Sequence, residues 1–281
     1  MESDNSAESV IKIKPTKGWN TLKLGDIWRY RELVYFLTWR DIKVRYKQTL
    51  LGVAWAVLQP VVTMIIFSLI FGRIAKLDSE GVPYPIFSYT ALLPWQLFSK
   101  AITDAGQSMV KNRSMITKIY FPRLVIPLSS ILGGMVDFFV AFLILLGMMF
   151  YYQIMPTSNI WALPLFLVLS MVTALGAGLW FSALNVRYRD IRYILPFLTR
   201  VWLYVTPVAY SSQYISENWQ VIYALNPMAG VVQGFRWAIL GTEMGPNSLI
   251  TLSTSSVIAI FILLSGLFYF RRMERTFADV V

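Results

Sequence analysis

Six stretches of this sequence are apolar over lengths that suit a lipid bilayer, and little chain is left between them. They run over about 53–71, 86–110, 124–151, 161–184, 194–210 and 249–270. A hydrocarbon core roughly 30 Å thick asks for about 20 apolar residues in helical form. Inside it, backbone N–H and C=O groups must bond within the protein, which a helix achieves one segment at a time. Composition agrees: 14% of residues are charged and 56% hydrophobic, where a soluble domain carries about a quarter charged residues. The expected fold class is therefore an all-α integral membrane protein with six transmembrane helices. Residues 1–18 read as a disordered leader, 19–52 as an amphipathic interface segment, 53–270 as the six-span domain and 271–281 as a tail.

Several chemistries are excluded by residue type. The chain has no cysteine and no histidine, so disulfides, Cys/His metal sites and His-dependent acid–base catalysis are unavailable. No Gly-x-x-x-x-Gly-Lys-Ser/Thr loop occurs, so ATP is not expected to bind this chain through a P-loop. Residues 1–10 are polar and acidic, without the apolar core of a signal peptide. Insertion is expected to rely on the first span, with the N-terminal segment left inside.

The net charge of +10 raises the question of nucleic acid, but its distribution reads as membrane topology. With both termini inside, the inner segments hold ten Lys and Arg before Val53 and four at Lys111, Arg113, Lys118 and Arg123. They also hold three at Arg187, Arg189 and Arg192, and three at Arg271, Arg272 and Arg275. Only Arg73, Lys76 and Arg236 fall outside, while Lys100 and Arg200 lie within spans. The expected location is a cytoplasmic membrane with both termini cytoplasmic.

Two segments outside the simple spans carry structure of their own. From Trp19 to Gln48, aromatic residues including Trp28, Tyr35, Trp39 and Tyr46 mix with basic ones at helical spacing, as in a helix lying in the interface. From Ser211 to Ser248 the chain is nearly uncharged, rich in aromatics, and broken at Pro227, Gly230 and Gly234. Irregular backbone at membrane depth needs protein or a water-filled cavity around it. Short re-entrant or interfacial helices capping the outer mouth are expected there, with Trp219, Tyr223, Pro227 and Trp237 as candidate gate residues.

Polar residues inside spans are costly and face protein or a lumen. On the first span Trp55, Gln59, Thr63 and Phe67 follow at four-residue steps, and on the fifth Phe197, Arg200 and Tyr204 share a face. These are the candidate residues for lining a path or lumen. Lys100 and Asp104 are four apart and can pair along one helix. Asp137 and Arg200 have no partner close in sequence; they can pair with each other or, for Arg200, meet a phosphate.

Arg45-Tyr46-Lys47-Gln48-Thr49-Leu50-Leu51-Gly52-Val53-Ala54-Trp55, ending at Gln59-Pro60, resembles the opening of the permease subunits of type-2 ABC exporters for O-antigen, capsule and teichoic acid chains. Four further matches follow in order: Leu93-Pro94-Trp95 with Phe98-Ser99; Lys118 to Arg123 (Lys-Ile-Tyr-Phe-Pro-Arg); Asn185 to Ile191 (Asn-Val-Arg-Tyr-Arg-Asp-Ile); and Asn226-Pro227-Met228 with Arg236. The resemblance implies a working unit of two copies of this chain with two separate ATPase subunits, which bind the ATP and Mg. It implies an undecaprenyl-diphosphate-linked glycan as cargo. It also implies a coupling helix in the 112–122 loop, with Lys118, Tyr120 and Phe121 as contacts and Arg187 and Asp190 in support. No cofactor is expected on this chain; membrane lipids are expected partners and nucleic acid is not. Two other readings stand beside this one: a permease of the same fold exporting a drug or other lipid, and a membrane-embedded glycan-synthesis enzyme. The absence of Asp-x-Asp and histidine, and the nearly uncharged outer loops, weigh against the enzyme.

Overall fold

The computed structural model describes residues 24–47, 52–215, 217–244, 248–274 and 277. The leader at 1–18, most of the tail and positions 48–51 of the opening motif lie outside them. Every described element is helical. The chain runs through α1 (Leu24–Arg29), α2 (Arg31–Lys47) and α3 (Gly52–Phe67), the last continued by a π-helical stretch at Ser68–Ile74. Next come α4 (Tyr84–Lys111), the single turn α5 (Arg113–Ile116) and α6 (Val125–Tyr152). A 3-10 turn at Ser158–Ala162 leads into α7 (Leu163–Arg187), then α8 (Ile191–Val205) and a 3-10 turn at Ser212–Tyr214. The chain closes with α9 (Glu217–Ala224), α10 (Pro227–Leu240) and α11 (Ser248–Glu274).

Helix ends follow local chemistry. Proline occupies the first turns of α4, α7 and α10, where its missing N–H costs no helical bond. The Asn226 side chain caps α10 by accepting the Met228 N–H at 3.1 Å. Gly241 closes the same helix at φ +72, a left-handed conformation that suits glycine.

Among the described residues, four stretches are both long and apolar enough to cross a membrane: Ala54–Ile74, Val125–Tyr152, Ser158–Arg187 and Ser248–Glu274. The other two expected spans differ for separate reasons. α4 has 28 residues, but it carries Lys100, Asp104 and Lys111 and lies at the centre of the bundle, packed on α3, α6, α7 and α10. A helix sheathed by protein has no need of a lipid-compatible surface. α8 has only 15 residues, about 22 Å at 1.5 Å per residue, and the chain beyond it is non-helical.

The segment expected to form a cap contains two short helices, α9 and α10. α10 buries most of its length against α4, α7 and α11. Its Arg236 is 2% exposed and stacks over the Phe87 ring at 3.5 Å. The guanidinium donates to the carbonyls of Pro207 at 2.8 Å, Val208 at 2.7 Å, Tyr210 at 3.2 Å and Phe87 at 3.3 Å. This residue, counted above as topology charge, instead ties down the irregular chain after α8, whose carbonyls no helix satisfies. α7 and α11 cross with backbones in contact: a Cβ at Gly266 would fall on the Gly176 carbonyl, and one at Gly176 would meet Leu263 N at 2.5 Å. Small residues at such crossings let helices pack without a hydrophobic driving force.

A second, smaller core gathers Val34, Leu37, Met109, Ile116, Phe121, Phe270 and Phe277 at one end of the bundle. Lys111, Arg113, Lys118, Arg123, Arg271 and Arg272 cluster around it, making this the basic end. α2 docks there on α6 through Val34 and Leu37 while Trp28, Tyr35, Phe36 and Trp39 remain exposed. These four aromatics, Trp28 on α1 and the other three on α2, lie away from the protein contact, whereas Tyr46 near the end of α2 turns into it.

Candidate functional site

α3, α4, α6 and α8 surround a cavity of about 500 Å³. Trp55, Gln59 and Thr63 face it from α3, Ser99, Lys100 and Asp104 from α4, Asp137 and Phe138 from α6, and Thr199 and Arg200 from α8. Arg45 reaches in from the end of α2. Three members of the expected α3 ridge therefore line one wall. The fourth, Phe67, does not: it is buried in the core, edge-to-face with Phe71 at 5.5 Å. Each four-residue step overshoots a helical turn by about 40°, so Phe67 lies about 120° round the helix from Trp55. On α8 only Arg200 of the expected face lines the cavity; Phe197 and Tyr204 are exposed outside its lining.

The cavity's ions pair across helices. Lys100 and Asp104, adjacent on α4, were expected to neutralise each other, but no ion pair joins them among the described residues. Lys100 pairs with Asp137 on α6. Asp104 accepts from Arg45 Nη2 at 2.9 Å and stands 3.9 Å from Lys111 Nζ. Lys placed N-terminal to Asp is the weaker order for an i,i+4 pair, and stronger partners lie opposite. Arg45 Nη1 donates to Asp137 at 2.7 Å, so one guanidinium bridges both carboxylates. Tyr46 donates its hydroxyl to the other Asp137 oxygen. Burial, followed by the hydrogen bond and charge of Asp137, pushes the Tyr46 phenol upward and keeps it a donor. Asp137 is thus committed to α2 and α4 rather than to Arg200, which makes no ion pair among the described residues. The bridging roles of Arg45 and Tyr46 were missed; the signal was their place just ahead of the first span, inside the opening motif.

The candidate gate residues do not form one cluster. Trp219 is exposed, Tyr223 meets the Tyr210 hydroxyl, Pro227 opens α10, and Trp237 packs on Phe166 at 6.5 Å. Asn226 ties this region to α8, accepting from Trp202 Nε1 at 3.0 Å and donating to Thr206 at 2.9 Å.

On the 112–123 loop the two aromatics separate. Tyr120 is 85% exposed, with Lys118 and Ile119 exposed beside it, whereas Phe121 is 6% exposed within the lower core. Phe121, expected as a surface contact, is an anchor. The two follow one another in a non-helical bend between α5 and α6, and their side chains part there, one outward and one into the core. Arg187 stacks over Tyr188 at 5.4 Å. Asp190 is exposed, and its carbonyl accepts the Tyr193 and Ile194 N–H groups at 2.9 and 3.1 Å.

Apolar helices long enough to cross a membrane, beside a polar, charge-lined cavity, are the architecture of an integral membrane protein with a polar interior. The sequence model of the ABC-2 type transporter family matches residues 32–240, and the chain belongs to that family. Similar proteins include an O-antigen export system permease protein RfbA from Klebsiella pneumoniae, 29% identical over 89% of this chain and 95% of the relative. The protein of that name from Myxococcus xanthus is 28% identical over 89% and 96%. The polysialic acid transport protein KpsM of Escherichia coli is 24% identical over 84% and 91%.

Proposed function

We propose that this chain is the membrane-spanning subunit of an ATP-driven exporter for an undecaprenyl-linked polysaccharide of O-antigen, capsule or teichoic acid type. It works as a pair of identical copies in a bacterial cytoplasmic membrane, with both termini cytoplasmic and six crossings per copy, α4 and α8 included. Two separate ATPase subunits bind ATP and Mg and dock on the basic end, where Lys118 and Tyr120 are the exposed contacts, with Arg187 and Asp190 beside them. The names of the relatives favour a glycan cargo. The observation that carries the reading is the composition of the cavity wall. Amide, hydroxyl and aromatic groups suit a sugar chain, while the acidic side chains are already paired to cations in the wall. Exposed Trp55, Phe197 and Tyr204 on α3 and α8 offer the surface that a second copy would cover to complete the path.

Within this reading Arg200, free of ion pairs among the described residues, meets the diphosphate of the carrier. Arg200→Lys then keeps partial export and Arg200→Leu loses nearly all; equal activity of the two would remove the role. The reading as a whole is tested by labelling glycan in a deletion strain, intact and permeabilised. Glycan present inside and missing from the surface is the expected result. Unchanged surface glycan would move the cargo to a drug or other lipid, and absence of glycan everywhere would return the chain to synthesis.

A further inference from the structure

A second cavity, also about 500 Å³, opens at the basic end where α4 and α7 finish and α8 begins. Lys111, Arg113, Arg189 and Arg192 line it, with the amides of Gln107 and Asn185, and no carboxylate does. Its cations are poorly compensated. Lys111 has only Asp104, 3.9 Å away and shared with Arg45. Arg113, Arg189 and Arg192 form no ion pair among the described residues. Arg192 is oriented by stacking over Tyr193 at 4.6 Å.

The helix geometry adds a second conflict. Arg189 and Arg192 flank the start of α8, the positive end of its dipole, where cations are disfavoured and anions are stabilised; the one acidic side chain there, the exposed N-cap residue Asp190, forms no ion pair with either arginine among the described residues. Four cations gathered with so little counter-charge, two of them at a helix end of the same sign, are locally unfavourable. Where a sequence breaks a local rule with no compensating gain inside the protein, a function is the expected reason. An anion in the cavity resolves both conflicts at once.

We propose that this cavity is a phosphate site holding the headgroup phosphate of a lipid in the cytoplasmic leaflet. Arginine forks and an amide match phosphate oxygens. No aromatic ring lines the cavity, so a nucleotide base would find nothing to stack on, while Val110 and Val186 suit the glycerol or prenyl carbons next to a phosphate. Two lipid sources share this chemistry, the phosphodiester of an anionic membrane phospholipid and the diphosphate of a polyprenyl carrier. Placement at the cytoplasmic leaflet rests on the orientation proposed above.

The test is native mass spectrometry of the full-length chain purified in detergent, offered phosphatidylglycerol, a polyprenyl diphosphate or inorganic phosphate in turn. Wild-type protein is expected to retain one or both lipids. The Arg189→Gln/Arg192→Gln double variant is expected to retain about tenfold less, as befits two lost charge-assisted contacts. Arg189→Lys/Arg192→Lys should recover most of the binding, and Arg272→Gln, at the same end but outside the cavity, should match wild type. Preference for phosphatidylglycerol assigns a membrane lipid and preference for the diphosphate assigns the carrier. Equal lipid retention by wild type and the Gln double variant overturns the site, as does binding of inorganic phosphate with neither lipid retained. Retention is read without transport, so a strain that fails the export test while its protein still holds lipid counts against the exporter reading alone.

Discussion

Asp137 joins three elements, and its charge can be removed with little change of shape. In Asp137→Asn the carboxylate facing Arg45 and Lys100 becomes an amide, which still accepts from Tyr46. A hydrogen bond to a charged group contributes about 1.5–3 kcal/mol, and breaking a buried pair from one side costs about 3–5 kcal/mol. The Asp137 side chain is 11% exposed, but those of Arg45 and Lys100 are 25% and 39% exposed. Both cations therefore recover part of their hydration, and Arg45 keeps Asp104. The lower part of the range applies, a loss of about 2–3 kcal/mol after solvent screening. For a chain of this size that is a fall in unfolding midpoint of roughly 5–10 °C.

The absence of native cysteine makes the assay direct. An Ala183→Cys reporter in the lower core stays protected until the bundle opens, so its thiol labelling against temperature reads the midpoint. Combined with Arg45→Met in a double-mutant cycle, the two changes should fall short of additivity by about 1 kcal/mol or more, the range for residues in one ion network. Full additivity, or a midpoint shift under about 2 °C, would refute the view that Asp137 and Arg45 hold α2 against the cavity wall.

Four further outcomes follow from the packing. Tyr120→Ala should leave the unfolding midpoint unchanged and reduce glycan-stimulated ATP hydrolysis in the full complex, whereas Phe121→Ala should cost about 3–4 kcal/mol of stability by emptying a core position; equal stability losses would contradict the inward–outward split. Gly176→Val should prevent close crossing of α7 and α11 and yield little folded protein by gel filtration. Gly147→Ala, with nothing within 4 Å of the added methyl, should gain about 0.5–1 kcal/mol. Arg236→Lys, with three donors and no planar fork, cannot serve all four carbonyls; a cysteine placed at buried Ser211 should label faster in that variant, and faster again in Arg236→Leu.

What could be read from the sequence was what a single helix displays. The apolar length of 125–152 or 248–274 is a local property, because lipid acts on each helix separately. The broken character of 211–248 was also visible, since Pro227 and two nearby glycines in a stretch of low charge speak against both a plain span and a solvated loop. Partners across the bundle were not visible. Arg45 and Asp137 are 92 residues apart, and nothing in either helix says which neighbour lies opposite. The i,i+4 rule proposed Lys100 with Asp104 because those are the neighbours a sequence can show. The same limit explains Arg236, whose charge was assigned by position along the chain while three of its four carbonyl partners come from a loop more than 20 residues earlier and the fourth from Phe87 on α4.

The exchange of within-helix for cross-helix partners has a consequence for transport. Had Lys100 paired with Asp104 along α4, the pair would move with that helix and lock nothing. Bound instead to Asp137 and Arg45, the same two side chains fasten α4 to α6 and to the end of α2, so the cavity wall cannot shift on one helix alone. α8 stands outside this lock. It buries only Leu195 and Thr199, and its Arg200 faces the cavity with no ion pair among the described residues. On the proposed reading the paired wall offers a sugar chain amide, hydroxyl and aromatic surface with its carboxylates neutralised. The least restrained of the four helices around the cavity then carries the cation for a phosphate, so headgroup capture and opening of the path act on the same element.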